Sequence, residues 1–303
     1  MGKYWSPLER LSTWRKISVG MWAPPSDPTI YGYETLIMED MLPYLAQVEE
    51  ITGVRVSPAV IAAHALASIF GKNPDFNVMV VNRRLQKRKS VDAFLQVATK
   101  GDAGDDLSGV TIRGADEMDI VDLALVLRKK AMKVRKGQDQ DIEKQKKSLN
   151  MIPIFFMRNV LQLVEFLTFS VPIDLDAIGV RSDPFGSFMV SSVAPFDIRL
   201  GFAPLVPASR CPIVALPGAI FERPMVVRGE IIAAKVMQMG VTFDHRCYDG
   251  AQIGVISRHI RGMFENPHDY LPDMDYWREK AAKMNLEPKA ETPADEAAQP
   301  TLH

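Results

Sequence analysis

Val241-Thr242-Phe243-Asp244-His245-Arg246-Cys247-Tyr248-Asp249-Gly250 joins an alternating apolar run to a turn that carries a histidine, an aspartate and a glycine. Upstream, Met237, Met239, Val241 and Phe243 alternate with Gln238, Gly240, Thr242 and Asp244, the period of a strand with one buried face. Downstream, Ile253, Ile256, Ile260 and Met263 recur at helical spacing until Pro267 closes the run. The stretch therefore predicts strand, turn and helix. If strand geometry persists two residues past Phe243, His245 projects on the apolar side, where burial favours neutral imidazole. Imidazole titrates near neutrality, at about 6.5, so it can take a proton from a thiol or hydroxyl. His245 is thus the candidate base of an acyl-transfer site.

The pattern H-x-x-x-D-G, and the longer D-H-R-x-x-D-G, resembles the active-site signature of the chloramphenicol acetyltransferase-like superfamily. Within it, the nearest likeness is to the catalytic domain of the dihydrolipoyl acyltransferases of 2-oxoacid dehydrogenase complexes. The resemblance implies an α/β fold, a two-layer sandwich with a central mixed β-sheet. It implies that His245 is the general base and that Asp249 is a structural carboxylate whose ion pair fixes the loop, with Arg15 as partner by position. It implies that Gly250 lets the chain turn into the helix. It further implies a homotrimer with its sites between subunits, His245 coming from one chain and Ser191 from its neighbour.

Other stretches extend the resemblance. Arg15-Lys16-Ile17 resembles the family's opening segment, and Asn73-Pro74-Asp75-Phe76-Asn77 its N-P-x-x-N turn. Helical spacing runs through Met41 to Ile51 and again through Val56 to Phe70, where Ser57 is an N-cap candidate and Pro58 fits the first helical position. Val91 to Thr99 resembles a family strand, although Lys100-Gly101 and an acidic loop follow it in place of the usual proline and glycine. Gly186 to Val193 is similar to the family's G-T-F-T-I-S-N strand, which gives Ser191 the role of oxyanion donor. Ser192 stands where the family has asparagine, so the role could fall to either serine. Pro217 to Ile231 resembles the family's core hairpin, with Arg228-Gly229-Glu230 as its turn.

Composition narrows the classes. A chain of 303 residues with 47% hydrophobic and 24% charged residues describes a globular protein with a sizeable core. A net charge of -1 argues against a general nucleic-acid binder. Cys211 and Cys247 lack metal-ligand spacing, so no metal is expected, and with no signal peptide recognised they fit a reducing cytoplasm. Cys247 reads as a small loop residue rather than a nucleophile.

One region departs from the family. Residues 128–147 hold nine Lys/Arg against three Asp/Glu, and from Met151 to Val171 the only charged residues are Arg158 and Glu165. Two charges near the middle, each costing about 2.5–3.5 kcal/mol on insertion, and Pro153 argue against a transmembrane helix. Three readings stand: a helix buried in the core or a subunit interface, a membrane-surface element over 128–171, or a wall for a long acyl group.

The expected organisation is a catalytic domain over 1–271 with an apolar insert near 148–175, a C-terminal extension over 272–285 and a disordered tail over 286–303. Pro272 to Met284 adds a short helix beyond the family's terminus, which bears on whether trimers join into a higher assembly. The resemblance implies a coenzyme A thioester as substrate, a lipoyl group only in trans, and a dehydrogenase complex or carrier protein as partner. The contrasting reading is a catalytically inactive, acyltransferase-like scaffold.

Overall fold

The computed structural model describes residues 27–101, 104–135, 159–160, 162–164, 166–167, 183–206, 209–227 and 229–288. Arg15, most of the apolar insert and the chain beyond Pro288 lie outside the described residues. None of the described helices is long and apolar enough to cross a membrane.

A six-stranded mixed sheet organises the chain. In chain order its members are β1 (Thr29–Ile37), then, after helices α1 (Met41–Thr52) and α2 (Pro58–Lys72) and a two-stranded hairpin of β2 (Val78–Val81) and β3 (Arg84–Lys87), the pair β4 (Ala93–Gly101) and β5 (Gly104–Ile112). Helix α3 (Ile120–Arg135) leads toward β6 (Phe188–Val190), β7 (Ile213–Val227) and β8 (Glu230–Asp244), and helices α4 (Gly250–Glu265) and α5 (Met274–Met284) close the chain. Spatially the strands run β1-β8-β7-β6-β4-β5, with β4, β6 and β7 parallel and the other pairs antiparallel.

The alternation that defines β8 is the one the structure uses. Met237, Met239, Val241 and Phe243 join the main core, together with Ile213 and Ala215 of β7 and Leu36 of β1. Against this face α2 presents an alanine-rich surface, with Ala62, Ala63, Ala65 and Ala67 all buried, which lets the helix approach closely. Ser57 occupies the N-cap of α2 with extended backbone, but its side chain makes no capping bond. Proline at the first turn starts the helix without it.

The opposite face carries a smaller cluster of Met189, Cys211, Val214 and Leu216, on which Val193, Ala203 and Leu205 pack. Two glycines permit this. A Cβ on Gly218 would lie 2.0 Å from the Arg199 carbonyl oxygen, and one on Gly240 would lie 2.0 Å from that of Gly201. The segment over 193–206 lies against bare backbone at both points.

The acidic residues after Thr99 do not form a simple loop, because the chain turns back and continues as β5. In the core hairpin, Pro217 borders a bulge where the register slips between Pro217 and Ile220, and Pro224 sits where β7 pairs with β8 alone. Both positions tolerate the missing amide donor. The helix expected after Pro272 is present as α5. Its Trp277 is fully buried, and Lys280 pairs with Asp119 at 2.5 Å and Asp122 at 2.6 Å.

Candidate active site

The turn after β8 begins one residue earlier than strand periodicity implies. The Asp244 carbonyl accepts the N–H groups of Cys247 (2.9 Å) and Tyr248 (3.2 Å), which bends the chain before His245 can take a strand position. His245 is therefore exposed in the single chain rather than projecting into the apolar core. Its backbone N–H donates to the Pro28 carbonyl at 2.9 Å.

The imidazole is nevertheless fixed. Nδ1 of His245 lies 2.8 Å from the Tyr248 carbonyl oxygen. A carbonyl can only accept, so Nδ1 carries the proton and the neutral ring keeps its lone pair on Nε2. Tyr248 is itself immobilised, buried to 2% exposure with its hydroxyl donating to the Phe76 carbonyl at 2.7 Å. The N-P-x-x-N turn over 73–77 thereby supports the base from below.

Among the described residues Asp249 has a capping role, while Arg15, its expected ion-pair partner, lies outside them. Asp249 is the N-cap of α4, its carboxylate accepting from the Ala251 N–H at 2.8 Å while its own N–H donates to Gln252 at 3.0 Å. This reciprocal capping box contributes about 0.5–2 kcal/mol to the helix. Gly250 has no positive φ, and a Cβ there would meet nothing within 4 Å, so the turn itself makes no demand for glycine. The carboxylate that closes the loop is Asp244, buried and paired with Arg246 at 2.7 Å. Sequence reasoning passed over this pair, although an aspartate and an arginine flanking the candidate base at i and i+2 was a visible signal.

Cys247 behaves as a loop residue, because burial pushes its thiol up to about 12 and keeps it protonated near neutrality. Cys211 is buried, and burial pushes its thiol up likewise, to about 12.

Ser191 follows β6, and its N–H donates to the Ala215 carbonyl at 3.0 Å. Among the described residues its hydroxyl makes no hydrogen bond. The Ser192 hydroxyl has local partners, the Pro217 carbonyl and the Ala194 N–H, each at 3.4 Å. Strand register separates the serine from the histidine. Val190 pairs with Ala215, so Ser191 stands level with Leu216, which pairs with Gly240. From Gly240 to Asp244, which ends β8 just before His245, is about 13 Å along the strand, and β6 to β8 is about 10 Å across it, so the backbones of Ser191 and Asp244 lie roughly 16 Å apart.

The architecture is that of an α/β protein built on a central mixed sheet. Residues 184–271 match the family model described as 2-oxoacid dehydrogenases acyltransferase (catalytic domain). The lipoamide acyltransferase component of the branched-chain alpha-keto acid dehydrogenase complex of Pseudomonas aeruginosa is 40% identical over 70 residues, 22% of this chain and 16% of that protein. This chain thus matches about a sixth of that relative's length. A probable dihydrolipoamide acetyltransferase of Listeria monocytogenes shares the fold with a TM-score of 0.59 at 15% identity, covering 89% of this chain and 98% of that one. The dihydrolipoamide acetyltransferase of Azotobacter vinelandii does so with a TM-score of 0.58 at 15% identity, covering 80% and 84%.

Proposed function

We propose that this chain is an acyltransferase that moves an acyl group between a coenzyme A thioester, or a lipoyl or carrier thioester supplied in trans, and an acceptor thiol, hydroxyl or amine. The observation that carries this reading is the bond from Nδ1 of His245 to the Tyr248 carbonyl, which leaves Nε2 as the proton acceptor. Nε2 removes the acceptor's proton as the acceptor attacks the thioester carbonyl. Ser191, whose hydroxyl makes no hydrogen bond among the described residues, donates to the oxyanion of the tetrahedral intermediate. Collapse expels the thiolate, which regains the proton from the imidazolium. No covalent enzyme intermediate is needed.

The separation of Ser191 from His245 supports a site shared between two copies. The face of the sheet opposite α2 supports self-association, because Tyr31, Tyr33, Phe196, Ile198 and Phe202 are exposed there. We read this as the contact of a homotrimer, with a higher assembly, a dehydrogenase complex or a carrier protein as further partners. The A. vinelandii structure was studied for the role of a serine, a histidine and an asparagine four residues after that histidine in its catalytic mechanism. Asp249 stands at that spacing from His245. Two free cysteines, Cys211 and Cys247, support a reducing, cytoplasmic setting.

The test is acetyl transfer from acetyl-coenzyme A to dihydrolipoamide by the purified chain. His245→Ala should abolish transfer while leaving the unfolding temperature unchanged, and undiminished turnover in that variant would refute the mechanism.

A further inference from the structure

The exposed His245 is flanked by two opposite charges that belong to one closed ring. Oδ1 of Asp244 accepts the backbone N–H of Arg246 at 2.9 Å and its Nε–H at 3.0 Å, while Oδ2 accepts from Nε at 3.2 Å and from Nη2 at 2.7 Å. The Asp244 carbonyl holds the amides of Cys247 and Tyr248. One residue thus ties down the backbone on the far side of His245, and Tyr248 in turn ties down the ring. Exposed ion pairs usually contribute little, but here the acceptor is only 6% exposed and the ion pair shares its carboxylate with a turn amide. Breaking the pair would leave a desolvated anion in the residue next to the base.

We propose that Arg246 is a positioning residue of the transfer site: clamped on Asp244, it holds the turn that aims Nε2 of His245. This rests on the reading of His245 as the base. Both the guanidinium and the backbone amide of Arg246 bond to the one carboxylate, so loss of either partner frees the turn at His245.

The test reads His245 itself. The full chain is treated with diethylpyrocarbonate at one neutral pH, and modification of the His245 peptide is followed by mass spectrometry beside kcat and KM for acetyl transfer. Arg246→Met and Asp244→Asn should each lower kcat about tenfold with KM for acetyl-coenzyme A unchanged and should each change the His245 modification rate, and the double variant should be no worse than either single one. Arg246→Lys, which keeps the charge without the two-pronged geometry, should fall between the native chain and Arg246→Met in kcat. Native kcat and a native modification rate in both single variants would overturn the proposal. Should Arg246→Met fail to fold, Asp244→Asn decides alone. Modification needs no turnover, so a native chain that transfers no acetyl group refutes the catalytic reading while the modification rates still decide the clamp.

Discussion

Trp277 donates its indole N–H to the Tyr44 hydroxyl at 2.8 Å, a bond between residues 233 positions apart that fastens the C-terminal helix α5 to α1. Tyr44 passes its own proton on to the Pro272 carbonyl at 2.6 Å, so the hydroxyl is satisfied on both sides. Both rings are fully buried. Trp277→Ala should therefore lower unfolding free energy by about 3–5 kcal/mol in urea titrations, the range for emptying an aromatic site in a core. Tyr44→Phe, which leaves the indole N–H unpaired, should cost about 1–3 kcal/mol.

His259 links stability to pH. Burial, with the charges of Lys72 and His64 acting the same way, pushes its imidazole down to about 4 from 6.5. The folded chain thus binds fewer protons here than the unfolded chain between those values. The contribution is present above pH 6.5 and is lost as pH falls from there through 4. Thermal melts should decline over this window, and His259→Gln should flatten the decline. An unchanged slope would count against this account.

Two glycines separate packing from chemistry. Gly240→Ala puts a methyl group against the Gly201 carbonyl and should cost about 1–3 kcal/mol through displacement of the segment over 193–206. Gly250→Ala meets open space in the first turn of α4 and should leave the melting temperature unchanged or raise stability by up to about 1 kcal/mol. A loss of transfer without loss of stability in Gly250→Ala would show that a ligand or a second copy approaches there.

Mixing distinguishes a shared site from one confined to a chain. Ser191→Ala and His245→Ala homomers should each be impaired, with His245→Ala inactive. Co-expressed, they should regain a fraction of native activity at interfaces that receive both native residues. No recovery in a verified mixed oligomer would restrict the site to one chain.

How much of this was legible depended on where the alternation matched the burial. The β8 turn and α4 could be read because the apolar residues of both elements face the same core. β1 hid, since its core-facing residues Ile30, Gly32, Glu34 and Leu36 include a glycine and a carboxylate, while Tyr31 and Tyr33 point away and stay exposed. The pattern reads inverted, because that face is only partly covered among the described residues, Tyr31 meeting Phe202 edge to face. β5 hid because its opening is acidic in sequence and reads as a loop, although its backbone pairs with β4. For the site, residue types identified His245, but its exposure depended on a three-residue hydrogen-bond pattern that side-chain periodicity does not encode. Asp249 was read as the ion-pair partner of Arg15, which lies outside the described residues; its capping role went unread, since an aspartate ahead of a helix serves equally well as an ion-pair partner or a cap.

The slip between Pro217 and Ile220 gives β7 one residue more than the strand it faces. Up to Pro217 the odd-numbered residues lie opposite the core-facing side of β8, whereas from Ile220 onward the even-numbered ones do. The hairpin is thus written in two reading frames. Removing a single residue at Ala219 would leave the sheet near His245 in phase and turn over every side chain of the outer ribbon. Loops may lengthen freely elsewhere in such a fold, but this strand has to keep count.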